Sequence, residues 1–171
     1  MIKKINAIIA FLVYLLILIH VIMMGGLMIG FIPFNNLFSI FGITLLVLFS
    51  IHVLISCVIL FFFQESSFKY PKLNYGTIIQ RVSALLLIVI IHFHMHNYFV
   101  NGELVPQSVL GLISELLLVI LFGLHFYPSI EKGLISLGIN NKVLLMVIKV
   151  FTIVLVLFMI ISILFYFLRA L

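Results

Sequence analysis

The chain has 171 residues, 66% of them hydrophobic and 8% charged, with a mean hydropathy of +1.49. A soluble domain needs more polar surface than that, so the composition excludes one and leaves no room for an enzyme fold beside a set of membrane helices. The net charge of +5 comes from basic residues scattered between apolar runs, not from a patch that would grip nucleic acid, and the single cysteine, Cys57, excludes an internal disulfide, a thiolate metal site and c-type haem attachment.

Lys3 and Lys4 precede the first apolar run. That run continues beyond the length of a secretory signal and contains no small-residue cleavage site, so it predicts a spanning helix. A span needs about 20 apolar residues. Five runs qualify: Ile5–Phe31, Leu37–Phe63, Thr77–Val100, Val105–Ser129 and Val143–Phe167. Polar or turn-forming segments connect them: Ile32–Asn36 with Pro33 and Asn35-Asn36, Gln64–Gly76, Asn101–Leu104, and Ile130–Lys142 with Gly133, Gly138 and Asn140-Asn141. The expected fold is one all-α bundle of five transmembrane helices over residues 1–171. Gly26 and Gly30 predict a close helix contact near the end of the first span. Met23, Met24 and Met28 are expected to pack or face lipid.

Basic residues mark the cytoplasmic side. Lys3, Lys4, Lys69, Lys72, Arg81, Lys132, Lys142 and Lys149 fall on one side, and only Arg169 on the other. The N-terminus is therefore expected inside and the C-terminus outside.

The six histidines are His20, His52, His92, His94, His96 and His125, spread over four consecutive spans. Ionisable groups inside a membrane are costly, and they mark functional sites. A lone one can be a polar residue bonded to a neighbouring helix, but four helices in succession call for another reason. Neutral imidazole is the usual axial ligand of haem iron, and facing helices of a bundle build such sites. At a rise of about 1.5 Å per residue, His20 lies roughly 24 Å beyond Lys4, and His94 roughly 20 Å beyond Arg81. His52 lies roughly 18 Å from Gln64, and His125 roughly 10 Å from Lys132, both nearer the cytoplasm. Depth thus offers an outer site on the first and third helices and an inner site on the second and fourth. His92 and His96 are turned about 200° from His94 and share a face with each other. By spacing alone, either could replace His94.

These residues resemble a known family: the di-haem cytochrome b membrane anchor of succinate:menaquinone oxidoreductases and fumarate reductases, in the five-helix form of Gram-positive bacteria. Gln80-Arg81-Val82-Ser83 is similar to the family's Gln-Arg-Val-Thr-Gly, with the haem histidine fourteen residues after the glutamine, at His94. His125-Phe126 followed by Gly138-Ile139 keeps the family's spacing, and Lys3, Lys4, His20 and His52 fit its order. Where the family often has glycine four residues after the second and fourth helices' histidines, this chain has Ser56 and Ser129. Its Thr-Gly is replaced by Ser83-Ala84, and both outward loops are short.

The resemblance implies two haem b groups, an outer one on His20 and His94 and an inner one on His52 and His125. It implies that Arg81, helped by Gln80 and Ser83, pairs with a propionate of the inner haem, since guanidinium suits carboxylate. Arg81 could otherwise anchor to lipid phosphate. Glu115, in the outer half of the fourth helix, is expected either to pass protons at a quinone site or to sit as a neutral acid bonded to a neighbour. His92 and His96 could join it or bind a propionate. The implied function is electron transfer in a bacterial cytoplasmic membrane. It would link menaquinone to cytoplasmic flavoprotein and iron–sulfur subunits, with dicarboxylate chemistry left to those partners. Two other readings stay open. One is a cytochrome b that serves a different flavoprotein reductase. The other is a haem-free small transporter or scaffold whose histidines carry protons or bind a metal.

Overall fold

Inside a bilayer a peptide group finds no water, so a long apolar run satisfies its own backbone by folding as a helix. The structure, a computed structural model, describes residues 2–33, 35–62, 75–98 and 108–170, without the side chains of 96–98 and 169–170. It contains five helices: α1 (Ile2–Ile29), α2 (Asn36–Phe62), α3 (Tyr75–Tyr98), α4 (Val109–Ser136) and α5 (Lys142–Ala170). Each is long and apolar enough to cross a membrane. The protein is an all-α, multi-pass membrane bundle, as the sequence leads one to expect. Asn101–Leu104, most of Gln64–Gly76 with Lys69 and Lys72, and the Arg169 side chain lie outside the described residues.

Helix ends differ from expectation where local chemistry outweighs hydropathy. α4 continues past Ser129 to Ser136, although Glu131 and Lys132 read as the start of a loop. Ile130 and Leu134, four residues apart, are buried while Glu131 and Lys132 are exposed, so this stretch is one more amphipathic turn. The helix then stops at Gly138, whose φ of +83° favours a residue without Cβ. Gly138 N–H donates to the Ile135 carbonyl (3.0 Å) and Ile139 N–H to that of Leu134 (2.9 Å), a Schellman closure. α4 starts at Val109 rather than Val105, capped by Ser108, whose Oγ accepts from Gly111 N–H at 3.1 Å.

α1 ends the same way, which corrects the role expected of Gly26 and Gly30. Gly30 (φ +90°) lies beyond the helix, and Phe31 N–H donates to the Gly26 carbonyl at 2.8 Å. The close helix contact is made at Gly25 instead. A Cβ there would stand 2.5 Å from the Phe158 ring and 3.2 Å from Ser162 Oγ of α5.

α1, α4 and α5 pack against one another, α2 packs on α1, and α3 packs on α4. The buried core of Met28, Val119, Ile163 and Phe167 lies among the first three. Cross-helix contacts set the register. Asn6 with Ser56 makes α1 and α2 antiparallel, Gln80 with His125 and His94 with Glu115 do so for α3 and α4, and Glu131 with Lys149 for α4 and α5. Lys3, Lys4, Arg81, Lys132, Lys142 and Lys149 therefore gather at one end of the bundle, the basic end. Hydroxyls on the outward face of α2 are satisfied internally: Thr44 and Ser50 each donate to the carbonyl four residues back at 2.8 Å.

Gly25→Leu should force α1 from α5 and destabilise the detergent-solubilised protein by about 1–3 kcal/mol. A Cβ at Gly123 meets only Val156 at 3.5 Å, so Gly123→Ala should leave the melting temperature nearly unchanged. Thermal unfolding followed by circular dichroism checks both.

Candidate functional site

Among the described residues the backbone of α2 comes close only to that of α1, and the backbone of α3 only to that of α4. The space between these two pairs is a cavity of about 1100 Å³ that runs lengthwise through the bundle. Ligand pockets commonly span about 300–1,000 Å³, so this one is large by that measure. Its wall is mainly aliphatic and aromatic, and His20, His52, His94 and His125 all line it.

One pair of histidines faces across it from α1 and α3. The rings of His20 and His94 have centroids 6.2 Å apart and planes at 76°. Two imidazoles bound to one metal at about 2 Å each would place their ring centres roughly 6 Å apart once the ring radius is added. His94 Nδ1 and Glu115 Oε2 are hydrogen-bonded at 2.8 Å, and Glu115 is 2% exposed. An ionised Glu115 only accepts, which puts the proton on Nδ1 and leaves the lone pair of the neutral ring on Nε2.

A second pair stands on α2 and α4. His125 Nδ1–H donates to the backbone carbonyl of Gln80 at 2.9 Å. A carbonyl only accepts, so this fixes the His125 tautomer with Nε2 unprotonated. His52 lies within electrostatic range of His125 and of the Asn6 backbone, and its buried Nδ1 makes no hydrogen bond of normal geometry among the described residues. Ten residues of α4 separate Glu115 from His125, which puts the two pairs about 15 Å apart along the axis. Near the inner level Tyr14 of α1 stacks on Phe126 with centroids 4.1 Å apart, and Phe126 stacks on Phe122 toward the outer one.

The serines that stand where the resembling family has glycine both line the cavity. Ser129 Oγ donates to the His125 carbonyl one turn back, and Ser56 Oγ pairs with the Asn6 side chain of α1. At the basic end the wall includes Lys3, Arg81 and Lys132. Lys132 Nζ donates to Thr77 Oγ1 at 2.5 Å and to Gln80 Oε1 at 3.1 Å. Glu115, toward the other end, is the only acid among the described lining residues. The cavity is thus apolar along its length and cationic at one end, with imidazoles at two levels.

The structure brings His20 to His94 and His52 to the level of His125. It separates His94 from His92, which is exposed on α3 and does not line the cavity. The His96 side chain lies outside the described residues. Ser83 does not line the cavity either. Its hydroxyl donates to the carbonyls of Ile79 (2.7 Å) and Gln80 (3.1 Å), as a serine inside a helix readily does. Gln80 contributes through its backbone oxygen to His125 and its side chain to Lys132. Lys3, Thr77, Lys132 and the Tyr14–Phe126 stack are additions that sequence reasoning missed. Phe122, Phe126 and Ser129 recur seven, eleven and fourteen residues after Glu115, a helical stripe that could have signalled a shared inward face.

His94→Ala should take a hydrogen bond from the buried Glu115 carboxyl, a loss of about 1–3 kcal/mol. Adding Glu115→Leu to that variant removes the buried carboxyl, so the double variant should melt higher than His94→Ala alone. Comparison of the chain with known protein families, with curated proteins and with solved structures finds no match to any of them.

Proposed function

We propose that this protein is a di-haem cytochrome b membrane anchor. It would carry electrons between menaquinone and cytoplasmic flavoprotein and iron–sulfur subunits of the succinate dehydrogenase or fumarate reductase type. The observation that carries this reading is the pairing of four histidines at two levels of one large cavity, with two of them anchored through Nδ1. A ligating histidine commonly donates its other ring N–H to a carboxylate or a backbone carbonyl. His94 has the first arrangement and His125 the second.

The residues fit the group. His20 and His94 would hold one haem, and His52 and His125 the other. The 6.2 Å ring separation suits imidazoles that share a ligand not supplied by the polypeptide. Lys3, Arg81 and Lys132 at the basic end would neutralise carboxylates of the inner group. When bound, haem supplies reversible one-electron chemistry. The chain's own part is to orient the imidazoles through Glu115 and Gln80, to exclude water with an apolar wall, and to place cations at one end.

The basic end would lie at the cytoplasmic face of a bacterial plasma membrane, by the positive-inside rule. There the short α4–α5 connection, Leu137–Asn141, would form part of the surface offered to the soluble subunits. Glu115, buried beside the outer pair, would border the quinone end. Succinate or fumarate chemistry would belong to the partner.

Haem quantified per purified chain tests this reading. The expected result is two b-type haems in the wild type and one in each of His20→Ala, His94→Ala, His52→Ala and His125→Ala. His92→Ala should keep two. Protein free of haem after expression with haem supplied would overturn the proposal. Co-purification of a flavoprotein with an iron–sulfur subunit would identify the electron partner, and a different flavoprotein would reassign it.

A further inference from the structure

We infer that Glu115 is a positioning residue for the His20–His94 site: it holds the His94 ring in one orientation and tautomer and strengthens its free nitrogen as a donor. This inference rests on the haem reading above. Glu115 is 2% exposed, lies in the apolar body of α4, and bonds His94 Nδ1 at 2.8 Å. An acid at that depth is costly, and a salt link between α3 and α4 is not needed to join helices that already pack along their length.

The second site shows what the carboxyl adds. There His125 donates to a neutral peptide oxygen, and His52 Nδ1 makes no hydrogen bond of normal geometry among the described residues. The two histidine pairs therefore stand in different electrostatic surroundings, although both are imidazole pairs in one cavity. A carboxylate draws the Nδ1 proton toward itself and leaves Nε2 more electron-rich than a peptide carbonyl does. A more electron-rich ligand favours the oxidised, more positive iron. The influence stays local, because about 15 Å of apolar wall and aromatic rings separates the two levels.

The test uses the full chain with its haems bound. Glu115→Gln keeps the size and a hydrogen-bond acceptor but removes the charge. Glu115→Asp keeps the charge. In Glu115→Gln the oxidised-to-reduced equilibrium of one haem, the one absent from His20→Ala, should shift roughly tenfold toward the reduced form. For one electron that is about 59 mV upward. The low-spin ferric electron paramagnetic resonance signal of the same haem should move, the other haem should not change, and Glu115→Asp should restore most of the wild-type equilibrium. Selective loss of that one haem from Glu115→Gln would also support the inference, since loss of such a partner weakens metal binding roughly 10–100-fold. Two bound haems with unchanged equilibria and signals would overturn it, and so would an equal shift or joint loss of both. A wild-type chain without haem would instead overturn the haem reading and this inference with it.

Discussion

Among the described residues the backbones of α2 and α3 do not come close, and the rest of the architecture follows from that gap. Water does not drive helices together in lipid; close van der Waals contact and buried polar bonds do so. α1, α4 and α5 meet both needs with small and apolar residues, as at Gly25 against Phe158 and Ser162. The α1–α2 and α3–α4 pairs are each joined along their length yet leave about 1100 Å³ between them. Protein interiors are packed like organic crystals, and this space, partly open at the surface of the bundle, departs from that. The proposed occupants are two large planar groups.

Polar side chains sort themselves by the same constraint. Each needs a partner inside the membrane, and most serines and threonines find one on their own helix. Ser83, Ser129, Thr152 and Ser162 all donate to a carbonyl four residues back. These groups are locally satisfied and require no functional account. The histidines are different. Two are tied through Nδ1 to a residue on the neighbouring helix, one makes no hydrogen bond of normal geometry at Nδ1 among the described residues, and all four face the same cavity. A bundle that needed polar glue alone could have used the cheaper hydroxyls it already contains.

Much of this was legible in the sequence, because a bilayer imposes one secondary structure on any sufficiently long apolar run. The five spans follow from hydropathy, and the depth pairing of His20 with His94 and of His52 with His125 follows from helical rise. The choice among His92, His94 and His96 was not legible. Rise and rotation divide them into two faces, but only the packing of α3 on α4, with Glu115 opposite His94, says which face turns inward. The end of α4 was misread because Glu131 and Lys132 look like loop residues until Ile130 and Leu134 are seen buried on the other side. Gly26 and Gly30 have the spacing of a packing motif, yet Gly30 ends α1 and the contact belongs to Gly25. A glycine that closes a helix and one that admits a neighbour look alike in sequence, since each is chosen for a missing Cβ. Lys132 was assigned to topology alone, and its contacts with Thr77 and Gln80 depend on the antiparallel register of α3 and α4.

The central claim is that the four histidines serve two by two as ligand pairs. Low-temperature electron paramagnetic resonance of the oxidised purified protein tests it most directly, because two imidazoles on one ferric haem give a low-spin signal and a single imidazole gives a high-spin one. The account predicts two low-spin signals of equal spin count, one per histidine pair. A high-spin signal as the main species, or no ferric haem signal at all, would contradict it.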